Sequence, residues 1–143
     1  MWQRIQTLYF AVAAALVIAL LWSAKAVVYS AGVDPEYIKY TSYLPYLILI
    51  IVASILEVLA LTTYRFRIFQ MRTAILVSLV LLALQGWIAV DYLQAPASQV
   101  FRYTAVFPLV AVIFNLLAAR AAYADEILIQ SASRLRAAKR KKR

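Results

Sequence analysis

Four long apolar segments, with most of the cations gathered on one side of them, constrain this chain more than any other feature. The segments run Thr7–Trp22, Leu44–Thr63, Thr73–Val90 and Thr104–Ala119. As helices rising about 1.5 Å per residue, each would cross or nearly cross a ~30 Å hydrocarbon layer. Of the 15 Lys and Arg residues, 12 lie before segment one, between segments two and three, or from Arg120 onward. These are Arg4, then Arg65, Arg67 and Arg72, then the eight at the carboxyl end. The other two connections are near neutral, with Lys25 and Lys39 set against Asp34 and Glu36, and Arg102 against Asp91. Lys/Arg bias in short loops sets orientation. The pattern predicts an all-α integral membrane protein, a four-helix up-down transmembrane bundle with both termini cytoplasmic (N-in/C-in). Such a chain is read as a multi-pass membrane protein.

Composition narrows the chemistry. At 66% hydrophobic and 15% charged residues, the chain lies far outside the range of soluble domains. The expected division is a four-helix transmembrane domain over residues 1–122 and a basic, helical cytoplasmic tail over 123–143. The sequence has Cys 0 and His 0. That excludes disulfides, thiol nucleophiles, imidazole acid–base chemistry and the usual zinc and haem ligands. No catalytic residue, cofactor or metal site is expected, and the chain is not read as an enzyme. Segment one ends Leu21-Trp22-Ser23-Ala24-Lys25 without a clean small-residue cleavage site, so it is read as a retained span.

Aromatic residues mark the outer helix ends: Trp22 and Tyr29, Tyr37 to Tyr46, Trp87 and Tyr92, Phe101 and Tyr103. Such rings settle at headgroup level because they join an apolar body to a polar edge. Asp34-Pro35-Glu36 reads as a helix start, with Asp as N-cap and Pro at the first helical position. Tyr37, Tyr40, Tyr43 and Tyr46 would then share one face of a short interfacial helix.

A shift of 63 residues superimposes much of the chain on itself. Lys39-Tyr40-Thr41 with Pro45 falls on Arg102-Tyr103-Thr104 with Pro108, a basic-Tyr-Thr-x-x-x-Pro pattern at two helix entries. A parallel repeat of two hairpins would place the halves about an axis along the membrane normal; chance similarity of apolar spans is the rival explanation. The same shift carries Glu57 onto Arg120, the ionisable residues within or at the edge of the spans. A charge at mid-bilayer costs at least ~2.5–3.5 kcal/mol, so such residues face the bundle or a partner. An intramembrane ion pair between Glu57 and Arg120 is the structural expectation; a coupling carboxylate at Glu57 is the functional one.

After segment four no Gly or Pro interrupts the chain, so span four should continue as one helix to about Leu135. Ile127, Leu128, Ser131, Leu135 and Ala138 form a weak apolar stripe among cations. The residues expected to dock or touch lipid at the cytoplasmic face are Arg4, Asp125, Glu126, Arg134, Arg136, Lys139, Arg140, Lys141, Lys142 and Arg143. Anionic headgroups of the bilayer are the first partner for these charges, other membrane-protein subunits the second, and ribosomal RNA phosphates a third.

The opening Met1-Trp2-Gln3-Arg4-Ile5-Gln6-Thr7-Leu8-Tyr9 resembles the M-I-Q-R-I-Q-T-L-Y/F start of a small Bacteroidota membrane-protein family, domain of unknown function 4293. The end is similar to that family's L-A-x-R-A-I-x-x-D-E-x-L-V-x-S-A-D-R-L-R signature. Here it reads Leu117 to Ala122, then Asp125 to Ile129, then Ser131 to Arg136. Ala119 stands where the family usually has Asn, Ser133 where it has Asp, and Trp2 where Ile is common. The resemblance spans the chain, its specific motifs at the two ends, and implies a four-span inner-membrane protein with no assigned activity. Motifs at the membrane surface of a plain bundle suit docking better than chemistry. The chain is therefore expected to be a non-catalytic accessory or scaffold subunit of a larger inner-membrane complex, with protein export or membrane insertion as the favoured setting. The alternative is a small oligomeric transporter or channel using Glu57.

Overall fold

The structure, a computed structural model, describes residues 2–141, and the side chains of residues 5–141. It is mostly helical: α1 (Trp2–Ala19), α2 (Leu44–Thr62), α3 (Arg67–Gln94) and α4 (Phe107–Lys141). Each helix packs on two others, α1 on α2 and α4, and α3 on α2 and α4, so α2 and α4 lie across the bundle from one another. α2, α3 and the segment Tyr103–Lys141 are long and apolar enough to cross a membrane, while α1 carries a shorter apolar stretch, Ile5–Ala19.

Each helix buries one stripe at helical spacing. On α2 the stripe is Tyr46, Ile50, Ala53, Glu57 and Ala60; on α4 it includes Pro108, Ala111, Asn115, Ala118 and Ala122. Many of these positions are Ala or Ser, which lets helix backbones approach closely without a hydrophobic drive between them. The opposite faces expose large apolar side chains such as Ile48, Ile55, Leu79 and Ile113, the surface expected of helices solvated by lipid.

The chain is not all-α. A three-stranded sheet caps the end opposite the termini, with strand order β2-β1-β3. Its strands are β1 (Ala24–Val28), β2 (Glu36–Lys39) and β3 (Gln99–Phe101). This corrects two expectations. Segment one does not stay helical to Trp22: Ser23 Oγ donates to the Ala19 carbonyl at 2.7 Å, short-range turn bonds close the helix, and β1 follows. Nor does Asp34-Pro35-Glu36 start a helix, because Glu36–Lys39 is a strand. A local start signal is worth about 1 kcal/mol, less than a row of ladder bonds to β1 for a β-prone Tyr-Ile pair. The tyrosines consequently do not share a face: Tyr40 and Tyr46 are buried, whereas Tyr37 and Tyr43 are exposed. Gly32, at φ +80°, supplies the left-handed residue in the loop from β1 to β2.

The sheet makes the 63-residue correspondence visible in the backbone. β1 pairs antiparallel with both neighbours, Val27 with Tyr37 on one side and Val100 on the other, Val28 with Glu36 and Gln99. Each of these partner pairs is displaced by 63 residues. A 3₁₀ turn follows each outer strand, Tyr40–Ser42 after β2 and Tyr103–Val106 after β3, and leads into α2 and α4. Upstream the halves differ: α1 gives way to β1, while α3 stays helical to Gln94.

α4 runs unbroken over 35 residues, through Arg120 and beyond Leu135. From Ile127 to Lys141, about 22 Å of helix, every residue is exposed.

Val27→Pro removes an N–H from the central strand, a position that does not tolerate proline. The expected loss is about 1–3 kcal/mol, the cost of a buried acceptor left without its donor, read as a lower unfolding midpoint by tryptophan fluorescence in detergent. An unchanged midpoint would show that the helices hold without the sheet.

Candidate functional site

Buried polar groups gather at three levels of the bundle. At the sheet end, the pairing register breaks between Ala24 and Ala26, which leaves Lys25 in a bulge. Bulges re-aim side chains, and Lys25 Nζ meets Asp91 Oδ2 of α3 at 2.7 Å. The Tyr46 hydroxyl of α2 donates to the same carboxylate oxygen. The ammonium also lies 4.9 Å from the centre of the Tyr46 ring and 5.7 Å from that of Phe101. Around it Tyr40, Tyr43, Tyr46 and Trp87 pack largely edge to face. Thr104 Oγ1 donates to the Ala24 carbonyl at 2.9 Å and accepts from the Tyr40 hydroxyl at 3.4 Å. Burial of Tyr40 holds its phenol above the ordinary pKa. β1, β3, α2 and α3 thus close on one ion pair.

At mid-bundle, Asn115 Nδ2 of α4 donates to Glu57 Oε1 of α2 at 2.5 Å, and both residues are 0% exposed. Glu57 Oε2 and Asn115 Oδ1 are buried without a hydrogen-bond partner. Each such group costs about 1–3 kcal/mol. The expected Glu57–Arg120 ion pair does not form, since Arg120 is exposed. The reason is azimuth: Arg120 is five residues past Asn115, about 140° around the helix. The shift of 63 carries the buried stripe of α2 onto the outward face of α4. Tyr40, 0% exposed, likewise corresponds to Tyr103, 71% exposed.

At the end bearing the termini, Gln6 Nε2 of α1 donates to Gln70 Oε1 of α3 at 2.7 Å, and Gln70 Nε2 donates to the Ala60 carbonyl at 2.9 Å. That carbonyl lies in the last turn of α2, where no helical donor follows. Arg67 Nη2 stands 3.7 Å from Asp125 Oδ2, joining α3 to α4. Of the residues expected at this face, Asp125 is engaged by Arg67, and Glu126 accepts from Gln130 Nε2 at 3.1 Å. Arg134, Arg136, Lys139, Arg140 and Lys141 are exposed along α4. The side chain of Arg4, and Lys142 and Arg143, lie outside the described residues.

Sequence reasoning used Lys25 and Asp91 as loop charges and missed their pairing. The signal was available: each carries an isolated opposite charge at the apolar end of a segment. No group of three or more His, Cys, Asp or Glu able to hold a metal occurs among the described residues.

Asp91→Ala leaves the Lys25 ammonium buried and uncompensated. The expected cost is about 2–3 kcal/mol, between the values for exposed and fully buried pairs, because Asp91 still meets solvent. The double variant Lys25→Met/Asp91→Leu should recover most of that in the same unfolding measurement; additive losses would show that the two side chains do not act as a pair.

A family model described as Domain of unknown function (DUF4293) matches residues 2–135. No curated protein and no solved structure matches the chain.

Proposed function

We propose that this chain, which belongs to the domain of unknown function 4293 family, is a non-catalytic accessory or scaffold subunit of a larger inner-membrane complex. The carrying observation is the extension of α4, exposed at every residue from Ile127 to Lys141. An isolated helix of that length is marginal in water, and this one exposes Ile127, Leu128 and Leu135. Such a stripe set among Arg and Lys suits a helix-in-groove partner with an acidic rim. The chain crosses the membrane four times in this reading, α1 included, as a Bacteroidota inner-membrane protein. Both termini lie in the cytoplasm, on the strength of the Lys/Arg bias. Protein export or insertion is the favoured setting, because a basic cytoplasmic helix would stand near a ribosome-bearing translocon.

The second reading, a small oligomeric transporter or channel, is favoured by one observation: Glu57 is buried near the bundle axis with Oε2 unpartnered. Intramembrane carboxylates of this kind mark ion and proton paths in other proteins.

Purification in mild detergent should recover a defined membrane complex with the full chain and lose it when residues 127–143 are deleted. Recovery of a lone oligomer moves the assignment to transport. Glu57→Gln separates the two as well: the scaffold reading expects the complex and its cellular phenotype to persist, whereas lost ion flux at normal protein level supports transport. Orientation is read directly, since a chain with Cys 0 accepts single cysteines cleanly. Cysteine at Ser133 should react only with a membrane-permeant reagent, and cysteine at Gly32 with an impermeant one from outside.

A further inference from the structure

The turn from α2 to α3 and the free-standing start of the α4 extension enclose a cleft of about 550 Å³. Its cationic wall is Arg65, Arg67 and Arg72; its apolar wall includes Phe66, Phe69 and Ile129. Glu126 is the carboxylate that lines it, and its side chain already accepts from Gln130. Three guanidinium groups against two carboxylates, Glu126 and the Asp125 that meets Arg67, leave the cleft positive by one charge. Arg67 sharpens the point. Its Nη2 makes a long contact with Asp125, while Nη1 is buried with no hydrogen-bond partner. A buried guanidinium N–H without an acceptor calls for an explanation, and the planar fork of arginine matches the oxygens of a phosphate. The cleft also opens at the amino end of α3, where the helix dipole favours an anion.

The apolar half identifies what carries that phosphate. Phe66 and Phe69 are exposed beside the arginines, at the level where the apolar faces of α2 and α3 end. A free anion would gain nothing from these rings, whereas an acyl chain leaving a headgroup in the cleft would lie against them. We infer that this cleft binds the phosphate headgroup of an anionic phospholipid, held by Arg65, Arg67 and Arg72 with a chain along Phe66 and Phe69. Basic pockets between spanning helices take anionic headgroups in the same way. The site is separate from the exposed cations of the tail and does not depend on the partner proposed above.

The test is native mass spectrometry of the full chain titrated with equimolar phosphatidylglycerol and phosphatidylcholine. The wild type should retain phosphatidylglycerol in preference. Arg65→Gln/Arg72→Gln keeps the Arg67–Asp125 contact and should weaken that preference roughly 10- to 30-fold, at about 1 kcal/mol per cation. Lys139→Gln/Arg140→Gln/Lys141→Gln removes more charge from the tail and should leave the preference in place. If the double variant unfolds by circular dichroism, Arg72→Gln alone serves, since Arg72 is exposed and makes no ion pair among the described residues. Equal retention of the two lipids by the wild type would overturn the site. So would a preference lost with the tail cations and kept in the cleft variant. Displacement of the lipid by millimolar inorganic phosphate would assign the cleft to a free anion and overturn the lipid reading.

Discussion

Buried backbone polar groups have to find partners within the chain, and here five residues, Ala24–Val28, meet that demand for both connections at the sheet end. β1 is paired on both sides, to β2 from the first connection and to β3 from the second. The ladder runs on past the strands, with the Tyr29 N–H donating to the Ser98 carbonyl and the Arg102 N–H to the Lys25 carbonyl. A central strand has no free edge, so the two loops cannot shift independently. The same strand delivers Lys25 through its bulge to Asp91, which fixes the end of α3 against the start of α2 by way of Tyr46.

From that cap the two halves of the chain diverge in an instructive way. Their strands, 3₁₀ turns and helix starts correspond at a constant offset, yet α2 and α4 turn different faces inward. A constant offset in sequence does not preserve which face of a helix turns inward. α4 packs on both α1 and α3, and its small residues Ala111, Ala118 and Ala122 fill those contacts. Asn115 is therefore what α4 offers to Glu57, and the amide satisfies one oxygen of the carboxylate where a guanidinium would have engaged both.

The two ends of the molecule are built on different principles. The sheet end is closed by backbone pairing, an ion pair and stacked aromatics. The end bearing the termini is tied by side-chain bonds from Gln6, Gln70 and Arg67, and beyond them α4 continues as an exposed helix from Ile127. The cleft lined by Arg65, Arg67 and Arg72 and the exposed cations of α4 both lie at that end, whereas the unpartnered oxygen of Glu57 lies inside the bundle.

The sequence by itself determined the number and rough extent of the apolar helices, the unbroken run of α4 into its basic end, and the family, whose motifs lie at the two termini. All of these are local: hydropathy, the absence of Gly and Pro after Ala119, and short strings of residues. Tertiary structure decided the rest. Ala24–Val28 is a short apolar run that periodicity does not distinguish from the end of a helix, and only partners 8 to 15 residues away in β2 and 71 to 75 away in β3 make it a strand. The Asp34-Pro35-Glu36 signal was overridden by the same pairing. Lys25 and Asp91 met because a bulge turned one toward the other. Glu57 found Asn115 because rotation of α4 about its own axis, invisible in a linear offset, set which residue faced the centre.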